Sequence, residues 1–68
     1  MTIGELLRQA REKKKKTQAD IARLLGKKQP TIHAWESDQT LPKTDEIRAV
    51  AAAYGLKPGQ LLPEPRIP

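Results

Sequence analysis

The apolar residues of the chain recur with the three- and four-residue spacing of amphipathic helices, and no segment alternates as a strand does. Four stripes follow one another along the sequence: Ile3, Leu6, Leu7 and Ala10; Ile21, Ala22, Leu24 and Leu25; Ile32 and Trp35, joined by Glu36; and Ile47, Val50, Ala51 and Tyr54. A shorter fifth segment opens at Pro58 and holds Leu61 and Leu62. The pattern therefore predicts an all-α bundle of four helices plus a short fifth, with Ile21, Ile32, Trp35, Ile47 and Val50 in its core.

Local signals place the ends of these helices. The Thr17 hydroxyl is a cap for the second helix, and Gly26 is its natural stop. The fourth helix is predicted to follow Pro42, with Thr44 as its cap, and to end at Gly55. The second helix is therefore short, barely more than two turns.

Size and composition exclude several classes of protein. A chain of 68 residues without cysteine and with one histidine is a single small domain with neither disulfides nor a structural zinc. Residues 1–10 lack the basic flank and apolar core of a secretory signal, and no apolar stretch reaches about 20 residues, so we expect a cytoplasmic protein without a membrane span. Three of the six prolines fall in the last six residues. We expect one domain over residues 1–62 and a proline-rich extended tail over residues 63–68.

Positive charge is concentrated in one part of the chain. Residues 8–28 contain nine Lys or Arg and two Asp or Glu, a net charge of +7, whereas the rest carries four and six, a net charge of −2. Such a confined basic patch is typical of polyanion binders. The aromatic content of 3 % disfavours binding of single strands, which stack their bases on rows of aromatic rings. Duplex nucleic acid is the partner that the composition favours.

The connection between the second and third helices is the most informative feature. Only Gly26 and two lysines separate them, which forces a sharp crossing of the two helices. The segments that carry the pattern are Thr17-Gln-Ala-Asp-Ile-Ala-Arg-Leu-Leu-Gly26, Gln29-Pro-Thr-Ile32, Trp35-Glu36 and Tyr54-Gly55-Leu56, together with Arg11 and Pro42. From about Ile3 to Leu62 the chain resembles the lambda-repressor-like (Cro/C1-type) helix-turn-helix family.

This resemblance implies a sequence-specific regulator of transcription of the repressor type, which binds a palindromic operator in double-stranded DNA. Its recognition helix spans about residues 29–37 and enters the major groove. Since one short helix makes few base contacts, we expect a homodimer, at least on DNA. The apolar residues Leu56, Leu61 and Leu62 with the tail are its expected interface, or else they complete the core. The resemblance implies no cofactor, and DNA binding would place the protein on the nucleoid.

The outward face of the third helix carries small or hydrogen-bonding side chains that a groove about 12 Å wide admits. The Gln29 amide can bond adenine N6 and N7, and Pro30 and Ala34 can touch thymine methyls. The expected base contacts are Lys28, Gln29, Pro30, His33 and Ala34. The resemblance and the positions of the residues imply phosphate contacts at Thr17, Gln18, Lys27, Thr31, Ser37, Gln39, Thr40, Lys43, Lys15 and Lys16. Glu36 falls on the inward stripe and needs a partner, which we expect to be Arg11.

Four positions, in three parts of the chain, depart from the family pattern. Lys15 and Lys16 stand where glycine and then an apolar residue are usual, so either the first helix continues through the lysines or the turn is reshaped. Lys28 replaces a Ser or Thr cap, and we expect Gln29 to take the cap with Pro30 as first helical residue. Asp38 replaces a common glycine, and aspartate tolerates a left-handed conformation better than most residues.

Other functions have weaker support in the sequence. His33, Ser37 and Asp38 include the residue types of a catalytic triad, but near-consecutive positions on one helix do not form one, and no enzyme is expected. A lone histidine cannot supply a catalytic metal site, and no small-molecule pocket is evident. The alternative to a regulator is a small helical module that binds a protein, such as an antitoxin, with DNA binding secondary. The lysine run by itself also permits weak contact with an anionic membrane surface, although no membrane partner is expected.

Overall fold

A computed structural model describes residues 2–61 of the chain, and within them every regular element is helical. The elements in chain order are α1 (Ile3–Lys13), α2 (Gln18–Leu25), α3 (Gln29–Glu36), a 3-10 turn (Thr44–Glu46), α4 (Ile47–Tyr54) and α5 (Pro58–Leu61). The all-α prediction of four helices and a short fifth is confirmed. The expected domain boundary at Leu62 and the tail at 63–68 lie outside the described residues.

Capping boxes begin the first two helices. The Thr17 hydroxyl accepts a hydrogen bond from the Asp20 N–H at 3.1 Å, and the Asp20 carboxylate accepts one from the Thr17 N–H at 2.9 Å. Thr2 and Glu5 make the equivalent pair of bonds at the start of α1. Gly26 ends α2 with a φ of 65°, a left-handed conformation in which a Cβ is strained. The sharp crossing from α2 to α3 follows from this glycine.

Both alternatives expected for the lysine run are wrong, because the turn between α1 and α2 keeps the left-handed conformation that glycine usually supplies there. Helix α1 ends at Lys13, and Lys15 adopts a φ of 58° in the left-handed region. The helix therefore does not continue through the lysines, and the turn has the conformation in which glycine is favoured. This conformation costs about 1 kcal/mol for lysine relative to glycine. The Lys16 N–H bonds the Arg11 carbonyl at 3.2 Å, which closes the end of α1.

Two predicted caps are wrong. Lys28, not Gln29, precedes α3 with extended backbone angles, and the Thr31 N–H bonds the Lys28 carbonyl at 3.0 Å. This bond places Gln29 in the first turn of α3. The following Pro30 is tolerated because the N–H that proline lacks would have no partner within the helix at that position. Thr44 is not a cap either: it is the first residue of the 3-10 turn. The chain is held there by the Lys43 N–H, which donates to the Glu46 carboxylate at 3.2 Å.

Helix α1 packs against α3 and α4, α2 packs against the same two helices, and α5 closes the bundle on α4. None of the helices within residues 2–61 is long and apolar enough to cross a bilayer. The buried apolar residues are Leu7, Ile21, Ala22, Ile32, Trp35, Ile47, Val50, Ala51, Tyr54 and Leu61. All five expected core residues are thus among those buried.

The position of Leu61 decides between its two expected roles. Its side chain is 4 % exposed and belongs to the core, so its assignment to a dimer interface is wrong. Helix α5 turns back onto α4, and this contact covers the apolar surface that seemed uncovered in the sequence. Leu56 packs partly buried against the core, and Leu62 lies beyond the described residues.

Candidate nucleic-acid interface

The amino ends of α2 and α3 meet at a shallow cleft on the surface. Gln18, Gln29, Pro30 and His33 line this recognition cleft, which has a volume of about 350 Å³. Gln18 is the first residue of α2 and Gln29 the first residue of α3, so both side chains stand at helix N-termini. The fold therefore brings together one expected phosphate contact and three expected base contacts.

The first turn of α3 is open to an anionic or hydrogen-bonding ligand. Gln29, Pro30 and His33 are exposed, and Ala34 is half-buried beside them. Lys28 precedes the helix, is exposed, and makes no side-chain cap. The first turn contains no acidic residue, so no carboxylate of its own offsets the positive end of the helix dipole. This end of α3 is electrostatically suited to approach a phosphate backbone.

Directly behind the recognition cleft lies a buried carboxylate, Glu36. Its two oxygens accept hydrogen bonds from Arg11 Nε at 2.8 Å and Arg11 Nη2 at 2.9 Å. The Tyr54 hydroxyl donates to the same carboxylate at 2.8 Å, and the Gln18 side-chain amide donates at 3.3 Å. Arg11 Nη1 in turn donates to the Lys16 carbonyl at 2.9 Å. Four parts of the fold are thereby joined through one ionised group.

The network sets the protonation of its members. Burial alone raises the pKa of the Glu36 carboxyl, but hydrogen bonds from Arg11, Tyr54 and Gln18 outweigh it, and the pKa lies below its ordinary value. The hydrogen bonds to Glu36 raise the pKa of Arg11. Burial, followed by the bond to Glu36, raises the pKa of Tyr54 well above its ordinary value. Glu36 therefore remains charged and Tyr54 neutral at neutral pH.

Gln18 links this network to the surface. One amide proton of its side chain is directed to Glu36, and the amide also lines the recognition cleft. Sequence reasoning identified Arg11 as a partner of Glu36 but missed Tyr54 and Gln18. Tyr54 could have been identified from the sequence, since it lies on the inward stripe of α4 and a buried tyrosine hydroxyl needs an acceptor. The Gln18 contact depends on the crossing of α2 and α3 and carries no signal in the sequence.

The basic residues expected to contact phosphates lie apart from the recognition cleft. Lys15 and Lys16 line a different cleft, between α1 and α2. The Lys27 ammonium forms an ion pair with Glu46 of the 3-10 turn. Thr17 uses its hydroxyl oxygen as the acceptor of the α2 cap. None of these groups therefore lines the recognition cleft.

The segment after α3 carries the remaining expected phosphate contacts. Gln39, Thr40 and Lys43 are exposed in the loop between α3 and the 3-10 turn. Ser37 caps the end of α3, where its hydroxyl donates to the His33 carbonyl at 2.8 Å. This bond occupies the hydroxyl proton that a phosphate oxygen would accept. Thr31 is half-buried on the flank of α3.

Asp38 performs a structural role that sequence reasoning did not assign. It has a left-handed φ of 63°, and its carboxylate accepts hydrogen bonds from the Thr2 hydroxyl at 2.6 Å and the Gly4 N–H at 2.9 Å. Ser37 is bonded to the His33 backbone, not to its ring. Hence His33, Ser37 and Asp38 form no proton relay. Within residues 2–61, no three His, Asp or Glu side chains are placed to share a metal ion.

Comparison of the sequence with known proteins gives two matches. The profile of the helix-turn-helix family matches residues 7–61. Multiprotein-bridging factor 1 of Debaryomyces hansenii is 32 % identical over 57 residues, which cover 84 % of this chain and 38 % of that protein. The chain therefore spans well under half the length of that curated relative. No solved structure matches the chain.

Proposed function

The chain belongs to the Cro/C1-type helix-turn-helix family of DNA-binding proteins, and from this premise we propose that it recognises a specific sequence as a repressor-type regulator of transcription. The observation that carries the proposal is the recognition cleft at the amino ends of α2 and α3. Polar and small side chains are exposed there beside a helix N-terminus without acidic residues. Such a surface fits the major groove of double-stranded DNA.

Base recognition is assigned to the exposed face of α3. The Gln29 amide presents a donor and an acceptor to adenine N6 and N7, and a bidentate pair of this kind discriminates by about 1 to 3 kcal/mol. Pro30 and Ala34 offer apolar contact to thymine methyl groups. His33 and Lys28 supply hydrogen-bond donors to base acceptors in the same groove.

Phosphate contacts position the helix and carry no sequence information. Gln18 is the central one, because the second proton of its amide remains for a phosphate while the first is directed to Glu36. The turn lysines Lys15 and Lys16 and the exposed loop residue Lys43 supply the sequence-independent attraction to the backbone. The remaining expected contacts are Thr17, Lys27, Thr31, Gln39 and Thr40, together with Ser37 if its hydroxyl exchanges the His33 carbonyl for a phosphate oxygen.

Binding as a dimer is part of the proposal. An eight-residue recognition helix reads few bases, and two copies related by a two-fold axis double the number read on a palindromic operator. Leu61 is excluded from the interface because it is buried in the core. Leu56, which keeps part of its surface exposed, is the remaining described candidate of the set predicted from the sequence.

Selection from a randomised duplex pool tests the proposal. We expect enrichment of a palindromic sequence with adenines within reach of Gln29, and a footprint that covers both half-sites. A Gln29→Ala variant is the matched control, since it alters the recognition cleft without touching the core. Failure to enrich any sequence over the starting pool overturns sequence-specific regulation. Enrichment of a single half-site with a monomeric complex overturns only the dimer.

A second function, binding of another protein, is favoured by the name of the relative. Multiprotein-bridging factor 1 is by its name a protein that connects others, and the matched region includes most of this chain. We propose that this chain also forms a protein complex, of which an antitoxin would be one instance. Affinity measurement with randomised peptides tests this function separately from DNA binding, as described below.

A further inference from the structure

One large apolar side chain is exposed in the middle of a basic surface. Leu24 of α2 is 60 % exposed, whereas Ile21 and Ala22 of the same helix are buried. On one side it borders the cleft formed with Lys14, Lys15, Lys16, Asp20 and Arg23. On the other side it borders a groove of about 430 Å³ between α2 and α4. This second groove, the α2–α4 groove, is lined by Lys14, Lys16, Leu24, Leu25, Ala49, Ala52 and Ala53.

The α2–α4 groove has an apolar floor and a charged rim. Three alanines of α4 and two leucines of α2 form the floor, and small side chains on α4 leave room for a partner to approach its backbone. Lys14 and Lys16 stand at one end of the groove. The Lys14 side chain extends over Gly55, since a Cβ added to that glycine would lie 2.3 Å from Lys14 Cε. The Lys14 side chain therefore lies beside the end of α4, and it also lines the groove.

The groove and the recognition cleft occupy different faces of α2. Leu24 follows Gln18 by six residues, and at about 100° per residue the two side chains point about 120° apart around the helix axis. No residue that lines the recognition cleft also lines the groove. A partner seated in the groove leaves the exposed face of α3 free for DNA.

We propose that the α2–α4 groove docks an acidic amphipathic segment of another protein. An apolar side chain of that segment packs on Leu24 and the alanine floor, while one of its carboxylates pairs with Lys14. The inference rests on the second function proposed above and names its site and partner. Recognition of an amphipathic helix in an apolar groove with charges at the rim is a general mode of peptide binding.

The charge around Leu24 favours an acidic peptide over a second copy of the chain, DNA or a bilayer. Leu24 is surrounded by three lysines and one arginine against one aspartate, so two copies that met through this face would bring like charges together. DNA would contact the lysines and leave the leucine without a partner. A bilayer needs a larger apolar surface than one exposed leucine for stable binding.

The test begins with a displayed library of random peptides of about 16 residues, long enough for four helical turns, selected on the intact chain. Enriched peptides are then measured by fluorescence anisotropy with the parent chain and with Leu24→Ser, Lys14→Gln and Leu41→Ser. Leu41 is 61 % exposed in the loop after α3 and is the matched control for Leu24. Thermal unfolding of each variant establishes that it is folded.

We expect enriched peptides to be acidic, with apolar residues at helical spacing. Leu24→Ser is expected to weaken their binding by about tenfold, the effect of losing one buried leucine contact. Lys14→Gln weakens binding by a smaller factor that disappears at high salt, and Leu41→Ser changes nothing. Basic or uncharged peptides, or equal binding to the parent and Leu24→Ser, overturn the site. Absence of any enriched peptide overturns protein binding itself.

Two further measurements test whether a second copy of the chain or a lipid surface occupies the groove instead. A third tests whether the groove affects DNA recognition. A loss of self-association in Leu24→Ser by sedimentation assigns the groove to a second copy and overturns the proposal. A Leu24-dependent binding to vesicles of phosphatidylserine and phosphatidylcholine assigns it to a lipid surface and overturns it equally. Leu24→Ser is expected to enrich the same duplex as the parent. DNA recognition and the docking site therefore stand or fail independently.

Discussion

Gly4 and Asp38 are joined by a hydrogen bond in which the Gly4 N–H donates to Asp38 Oδ1 at 2.9 Å, across 34 positions of the chain. The bond to the Thr2 hydroxyl, followed by the one to Gly4, holds the pKa of Asp38 below its ordinary value. A Cβ on residue 4 would lie 2.6 Å from the Glu36 carbonyl oxygen and 2.8 Å from Asp38 Oδ1. Glycine is therefore required where the start of α1 touches the end of the recognition helix.

Replacement of Gly4 by alanine tests this contact. Because backbone and carboxylate atoms occupy the space for the new methyl group, Gly4→Ala should lower the free energy of unfolding by about 1 to 3 kcal/mol. Urea denaturation followed by the fluorescence of Trp35 measures the change. Gly59→Ala is the control, since nothing lies within 4 Å of its Cβ position. If both variants unfold at the parent midpoint, the close approach of α1 to α3 is not as described.

The Arg11–Glu36 pair should be necessary for folding because it is mostly buried. Arg11→Met or Glu36→Gln alone should lower the free energy of unfolding by more than about 2 kcal/mol, since each leaves a buried group without its charged partner. A double-mutant cycle should give a coupling of about 1 kcal/mol or more. The exposed pair of Arg23 and Asp20 is the matched control, and Arg23→Met should leave stability nearly unchanged. A coupling near zero for Arg11 and Glu36 contradicts the prediction.

The helices were predictable because each must bury one face, so apolar residues recur along the sequence with the period of the helix. Ile32, Trp35 and Glu36 mark the inner face of α3 by their spacing alone. The inward carboxylate of Glu36 demanded a cationic partner, and the end of the first helix offered one. Local chemistry likewise placed Thr17 and Gly26 at the two ends of α2.

The rest depended on contacts between distant parts of the chain. The Gly4–Asp38 bond joins the first turn of α1 to the turn after α3, and these two segments approach each other only in the folded bundle. The assignment of Leu61 to an interface failed because the return of α5 onto α4 is a tertiary event without a local signal. The cap of α3 was misplaced because a preference of residues before proline is weaker than the turn that Lys28 closes. In the candidate site, the exposed face of α3 could be predicted from the sequence, whereas the hydrogen bond from Gln18 to Glu36 could not.

Stability should fall on the acid side through Glu36. Its pKa in the folded chain is below the ordinary value of 4.5, so the ionised carboxylate contributes stability above about pH 4.5 that is lost as pH falls through the folded value. The carboxyls of Glu5, Asp20 and Glu46, whose pKa values are also lowered, act in the same direction. Urea midpoints measured between about pH 3 and 7 should show this loss. Glu36→Gln should have a visibly flatter profile, and an unchanged slope contradicts the assignment.

Alkaline stability should depend on Tyr54. Burial and then its bond to Glu36 raise the pKa of the hydroxyl, so its contribution to stability is complete below about pH 10 and is lost as pH rises further. Tyr54 is the only tyrosine in the chain, so tyrosinate absorbance reports it without ambiguity. We expect tyrosinate to form together with the loss of helical circular dichroism. Tyrosinate that forms at the ordinary pH in a folded chain would contradict the buried bond.

Two variants should distinguish base recognition from electrostatic attraction to the phosphate backbone. Gln29→Ala should weaken binding to the selected operator by about 1 to 3 kcal/mol and leave binding to random duplex nearly unchanged, because a base contact contributes only when its base is present. Lys15→Gln keeps the left-handed position of the turn occupied by a side chain of similar length. It should weaken specific and random binding together and reduce the salt slope by about one unit, since each phosphate contact releases counterions from any sequence.

Titrations of both duplexes at several salt concentrations measure the two effects, and their ratio decides the assignment. For Gln29→Ala the ratio of specific to random affinity falls while the salt slope stays constant. For Lys15→Gln the slope falls while the ratio is preserved. If Gln29→Ala leaves that ratio unchanged, the recognition cleft does not contact bases, and the specificity of the chain lies on another surface. If Lys15→Gln lowers the ratio instead, the turn between α1 and α2 contributes to sequence recognition itself.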